Sequence, residues 1–235
     1  SASLVGSEMC IRDRAISVVL ERAPATLTLA CAALLISVVL GIPAGIVAAV
    51  KRNSVSDAVI RVLALLGQCM PAFWLGIMLI MLFAVKLGWM PTGGAEDGLR
   101  SLILPAFTLG VFSAATICRL LRSNLIEVLG KEYIDVAKAK GLPKSKIIGK
   151  HALKNAMSSI ITILGMQFAS LLGGSVITEQ VFAWPGVGRL VIQSITTSDF
   201  AVVECIVFLM AVIFVVINFI VDVLYCVINP RVRLQ

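Results

Sequence analysis

Five apolar runs decide what this chain can fold into: Pro24–Val50, Val59–Leu87, Leu102–Cys118, Ala156–Ile177 and Val202–Val227. A helix that crosses a bilayer needs about 20 mostly apolar residues. Backbone N–H and C=O groups find no water inside hydrocarbon, so only helices or closed barrels span it. The runs lack the period-2 alternation of barrel strands, which leaves helices. With 59% of its 235 residues hydrophobic and 14% charged, the chain is no water-soluble globule. The expected fold is an all-α integral membrane bundle of five transmembrane helices, one domain over residues 15–235.

The charges then orient the bundle. The formal net charge is +7, which taken alone suggests nucleic acid, but its placement argues otherwise. Lys51, Arg52 and Arg61 flank the first loop, nine cations from Arg119 to Lys154 fill a long insert, and Arg231 and Arg233 lie in the tail. A five-span topology puts all three groups on one side. The other side carries Glu96, Asp97, Glu179, Asp199 and Glu204 against Lys86, Arg100 and Arg189. Basic loops stay in the cytoplasm, so the C-terminus is expected inside and the N-terminal end outside. The basic excess is topology, and no nucleic-acid partner is expected.

Catalytic signatures are missing. Gly149-Lys150 precedes His151 and lacks the upstream glycine of a phosphate-binding loop. His151 is the only histidine, and the six cysteines are scattered without a CxxC pair, so no metal site is expected. The chain reads as a non-enzyme without a cofactor of its own.

Residues 1–14, SASLVGSEMCIRDR, do not match the rest of the chain: they are polar, patternless and unlike a signal peptide. Met9–Asp13 resembles a translated sequencing-library adapter. The segment is therefore expected to be non-native, with a disordered tail as the second reading.

Within the spans, Gly41, Pro43, Gly45, Gly67 and Pro71 interrupt the helices. Proline bends a helix, and the Gly41/Gly45 pair lets another helix approach closely. Ordinary bundle packing is the first reading of these breaks and a gate the second. Ionisable groups at membrane depth are functional candidates. Asp222 is the clearest, with Asn218 on the same helical face, and further mid-span carboxylates for a proton relay are not expected.

The polar insert Glu132–Asn155, EYIDVAKAKGLPKSKIIGKHALKN, stands out in so apolar a chain. Glu132–Lys140 reads as a helix with Tyr133, Ala137 and Gly141 on one face. Gly141 suits the left-handed residue that closes a helix, and Pro143 bars its continuation. A second basic helix, Lys144–Asn155, is expected next. Such a pair could lie on anionic lipid, read DNA, or dock another protein through the small residues Ala137 and Gly141. On the opposite side Phe182, Trp184, Pro185, Gly186, Gly188 and Arg189 follow Glu179, and Val187–Ile195 is expected to form a short helix. Spacing leaves a belt, a pore cap and a docking loop all open there.

Two motif sets decide among these. Glu132-Tyr133, Ala137-Lys138-Ala139-Lys140-Gly141-Leu142 and His151-Ala152-Leu153-Lys154-Asn155-Ala156 resemble the cytoplasmic "EAA" loop of ATP-binding-cassette (ABC) importer permeases. His151 and Lys154 replace the Ile and Pro of the general pattern, as in the dipeptide/oligopeptide/nickel subfamily and its first permease type. Glu179, Val181, Phe182, Trp184-Pro185-Gly186 and Gly188-Arg189-Leu190 are similar to that subfamily's outer loop. Pro71-x-Phe73-Trp74-Leu75-Gly76, Leu87-Gly88-Trp89-x-Pro91 and Asn229-Pro230-Arg231 agree, so the likeness runs from Ile16 to Arg233.

That resemblance implies a type I importer permease in the bacterial or archaeal inner membrane. A homologous second permease, two ABC ATPase subunits holding the ATP, and an extracytoplasmic solute-binding protein would be its partners, with membrane lipid around it. It also implies a cytoplasmic coupling loop at 123–156, whose Glu132, Tyr133, Ala137, Lys138, Ala139, Lys140, Gly141, Leu142, His151 and Asn155 meet an ATPase. The outer loop, 179–200, would act as a gate. Peptides, nickel, metal chelates and small glycans or opines are all possible cargo. Family members carry one more span and an external segment before the position of Arg22-Ala23-Pro24, in keeping with a truncated start. An ion-driven secondary transporter and a non-transporting scaffold are the competing classes.

Overall fold

The computed structural model describes the backbone of residues 2–228, and side chains from residue 15 onward except 158, 159, 174, 221, 222 and 224–228. Helix α1 (Ala2–Val50) is followed by α2 (Val55–Cys69) and by α3 (Ala72–Leu79), which continues as π-helix through Ile80–Lys86. After a loop come α4 (Leu99–Leu129), α5 (Glu132–Ala139), and α6 (Lys144–Lys146) with its π-helical extension Ile147–Ala152. Then follow α7 (Leu153–Gly174), α8 (Val176–Val181), α9 (Val187–Thr196) and α10 (Phe200–Ile228).

Among the described residues, Ala15–Val50, Leu99–Leu129 and Phe200–Ile220 are each long and apolar enough to cross a membrane. Two broken pairs, Val55–Cys69 with Ala72–Lys86 and Lys144–Met157 with Ile160–Gly173, bring the spans to five if each pair is one. The second span breaks where Met70 turns extended (ψ 127°) before Pro71, because proline bars the residue ahead of it from the helical region. The third differs from its expected limits: α4 passes Arg119 and Arg122 and stops only at Leu129. Its helix extends through the charges because no Gly or Pro stands between Gly110 and Gly130 to stop it.

By contact the chain divides into two units. The first takes α1 up to Ala33, Pro71–Leu109 and Phe168–Ile217; the second takes Leu34–Met70, Gly110–Gln167 and the chain from Asn218. In the second unit, Gly41 and Gly45 lie against α4. An added Cβ would come 2.8 Å from the Ala114 carbonyl oxygen and 2.9 Å from that of Cys118. Close backbone approach therefore explains this GxxxG pair, as the packing reading expected. Beyond it Ile117, Leu121, Leu125, Ile134, Ile147, Ala152 and Ile160 form one buried cluster. In the first unit a smaller cluster joins Val19, Val187 and Ile206.

Candidate functional site

The insert builds its site from a short amphipathic helix. Ile134 and Ala137, three apart on α5, are both buried in the cluster with Ile147 and Ala152. Ala137 therefore faces its own chain, which corrects the expectation that it is offered to a partner. The outward residues are Tyr133, Val136, Lys138, Ala139 and Lys140, with Glu132 in the first turn. Acidic Glu132 and Asp135 sit where a helix N-terminus favours them, and Lys138 pairs with Asp135 at 2.8 Å.

Gly141 ends the element. Its φ of +73° is left-handed, and nothing lies within 4 Å of where its Cβ would be. Leu142 N–H bonds back to the Ala137 carbonyl at 3.3 Å, and the Leu142 side chain packs on the buried cluster. The second basic helix expected at Lys144–Asn155 is present, as α6, its π-helical extension and the start of α7. It runs on to Met157 and bends by 50° against Ile160–Gly173, so the basic stretch leads into the apolar part of the fourth span at an angle. One bond ties the two arms: Asn155 Nδ2 donates to Tyr133 Oη at 2.9 Å and to the His151 carbonyl at 3.0 Å. The result is an exposed tip held rigidly by a buried hydrophobic base.

The outer motif folds inward rather than forming an open flap. Glu179, expected among the charges of the outer side, is fully buried. Its carboxyl accepts from Thr26 Oγ1 (2.9 Å), Ser175 Oγ (2.9 Å) and the Arg189 N–H (3.0 Å). Thr26 Oγ1 also accepts from the Val187 N–H at 2.8 Å, so helix α1, α8 and the start of α9 meet at one point. Gly186 and Gly188 press on the Glu179 carboxyl and leave no room for a Cβ. Trp184 is buried and donates its indole N–H to the Ala25 carbonyl at 2.9 Å. Phe182 is buried beside Gly76, and its carbonyl takes the Gly94 N–H at 2.9 Å. Pro185 is half-buried, and the Arg189 guanidinium binds the Ala183 carbonyl at 2.7 Å. Helix α9 covers the expected Val187–Ile195 and one residue more.

A second buried carboxylate lies not in mid-span but just ahead of the expected second span, where sequence reasoning does not look for one. Asp57 is fully buried and takes a two-pronged contact from Arg122, at 2.7 and 2.8 Å. Arg61 adds a third contact at 3.4 Å, and the Asn53 N–H a fourth at 3.0 Å. Ser54 caps α2 by accepting the Asp57 N–H at 3.3 Å. The Ser-x-x-Asp helix start is visible in the sequence, but its partner stands 65 residues away. Asn218 is half-buried on α10, and the Asp222 side chain lies outside the described residues.

Comparisons with known proteins bear on the chain's family and fold. The family described as binding-protein-dependent transport system inner membrane component matches residues 41–234. The di/tripeptide transport system permease DppB of Pseudomonas aeruginosa (strain UCBPP-PA14) is 40% identical over 90% of this chain and 71% of its own length. The glutathione transport system permease GsiC of Escherichia coli (strain K12) is 41% identical over 97% of this chain and 74% of its own. Among solved structures, an inward-facing MetNI methionine ABC transporter superposes with a TM-score of 0.77, covering 90% of this chain and 96% of that one. At 20% identity the last likeness speaks to the fold alone.

Proposed function

This chain belongs to the family of inner membrane components of binding-protein-dependent transport systems, and from that premise we propose that it forms half of an ATP-driven import pore for short peptides. It is a transport permease rather than a catalytic enzyme, and its family works with a binding protein, an ATPase and a partner permease. In the finer reading, a homologous second permease completes the pore, two ABC ATPase subunits bind the ATP, and the C-terminus is cytoplasmic. Short peptides are the favoured cargo because relatives at 40 and 41% identity are named for di/tripeptides and glutathione.

The observation that carries the mechanism is the rigid tip of α5. A helix that transmits force must not shear against its own protein. Ile134 and Ala137 anchor α5 in the buried cluster, and Asn155 clamps Tyr133 to the fourth span. The outward face, with Glu132, Tyr133, Lys138, Ala139, Lys140 and Gly141, is then free to seat in a groove on an ATPase. Closure of the ATPase pair would push this tip and, through α7, tilt the spans between inward- and outward-facing states. The packed outer motif around Glu179 would move as one piece.

Affinity purification of the tagged chain, co-expressed with the genes beside it, tests this reading by mass spectrometry. Recovery of a second permease, an ATPase and a solute-binding protein is the expected result. Recovery of the inserted chain alone would contradict it and bring an ion-driven transporter forward.

A further inference from the structure

Arg119 and Arg122 lie three residues apart on α4 and meet opposite fates. Arg122 is neutralised by buried Asp57. Arg119 is exposed and has no carboxylate within ion-pair distance among the described residues. Its Nη1 instead donates to the Gln68 side-chain oxygen, and Gln68 Nε2 donates to Thr116 Oγ1 at 2.9 Å. One nitrogen of the guanidinium is thus held by a neutral group, and five N–H donors in a planar fork leave others for a further acceptor.

The surroundings say where that acceptor comes from. Thr116, Arg119, Ser123 and Glu127 are spaced three, four and four residues apart, which puts them on one face of α4. That stripe is polar and open to about 16 Å of helix length. The large hydrophobic residues exposed on α2 are Val55, Val59, Val62, Leu63, Leu65 and Leu66, with Arg61 the one exposed charge among them. A charged group in a transmembrane segment is costly against lipid and ordinarily faces a water-filled path. Arginine's planar fork matches a carboxylate in two parallel hydrogen bonds.

We infer that Arg119, held by Gln68 and Thr116, is a station in the translocation path that receives the free carboxylate of the passing solute. The inference rests on the proposed importer and its peptide cargo, since every unmodified short peptide ends in a carboxylate. Arg122 and Asp57 lock the next turn of the helix, so the station stays fixed while the solute moves.

The test uses the complete importer in vesicles, with binding protein and ATP, and two probes: alanyl-alanine and its C-terminal amide. Maximal uptake rates are compared for wild type and Arg119→Gln, so selection by the binding protein cancels in each ratio. The expected loss is about tenfold or more for the free acid and under about twofold for the amide, with Arg119→Lys recovering part of the first. Equal losses for both probes would make Arg119 merely structural, and no loss would remove it from the path; either overturns the inference. A loss that appears only in vesicles containing anionic lipid would assign the side chain to a headgroup phosphate and overturn it as well.

A second measurement separates this inference from the importer reading. Arg119→Cys, made in a chain whose six native cysteines are replaced, should react with a membrane-impermeant sulfonated thiol reagent. An unreactive thiol places position 119 against lipid and overturns the inference whatever the cargo. Wild-type vesicles that import neither probe would instead count against the peptide reading while leaving the wet face established by its reactivity.

Discussion

Among the described residues two carboxyl groups are completely buried, and their neighbourhoods satisfy them in opposite ways. Asp57 is met by charge: Arg122 grips both oxygens and Arg61 stands by. Glu179 is met by neutral donors, two hydroxyls and one backbone N–H, while the nearby Arg189 guanidinium is turned to a carbonyl. The first arrangement ties the first turn of α2 to α4 across 65 residues. The second closes a motif in which α1, α8 and α9 converge. Charge makes a strong single tie between two helices; a ring of dipoles makes a compact joint among three. A joint of that kind can move as a body without separating any ion pair.

Removing each group should expose the difference. Asp57→Ala leaves Arg122, only 21% exposed, without its counter-charge, and stability should fall by about 3–5 kcal/mol. Thermal unfolding of the purified permease, read from tryptophan fluorescence, checks this. A loss below about 1 kcal/mol, the scale of a surface pair, would show that the tie is not buried in the membrane protein. Glu179→Gln keeps the shape and one acceptor but turns an amide N–H toward another donor. The expected cost is about 1–3 kcal/mol, with sensitivity to salt no greater than wild type. If that isosteric change proved costlier than Asp57→Ala, the contrast between the two sites would be reversed.

Smaller changes sharpen the picture. Trp184→Phe retains the buried ring but loses the hydrogen bond to the Ala25 carbonyl, a cost of about 1 kcal/mol in the same unfolding measurement. Gly141→Asn should cost only a few tenths of a kcal/mol, because asparagine tolerates the left-handed conformation and the space beside it is empty. Gly141→Leu, which does not tolerate it, should cost more.

The architecture is legible because lipid removes most alternatives. Apolar length finds the spans, Pro71 the break, and Gly141 before Pro143 the end of α5. The likeness of the EAA loop and outer motif to importer permeases locates both candidate working loops. What the chain hides are relations across long separations. Nothing local to Asp57 announces Arg122, and Arg119 and Arg122 look alike in sequence although only Arg122 has a counter-ion among the described residues. Glu179 falls among the charges of the outer side in sequence, yet Thr26, 153 residues earlier, helps hold it inside. Spacing with Tyr133 and Gly141 puts Ala137 on the docking face, but the same helix also presents Ile134 to the core, and burial of that side chain sets the rotation.

An anchored α5 that couples ATP hydrolysis to movement of the spans is tested most directly by Gly141→Asn, because that change barely disturbs the fold. In vesicles of the complete importer, dipeptide uptake and ATP hydrolysis would be followed together. The expected result is an assembled complex in which the added side chain, projecting from the docking tip, lowers uptake per ATP severalfold. Uptake per ATP equal to wild type would contradict the coupling role of α5.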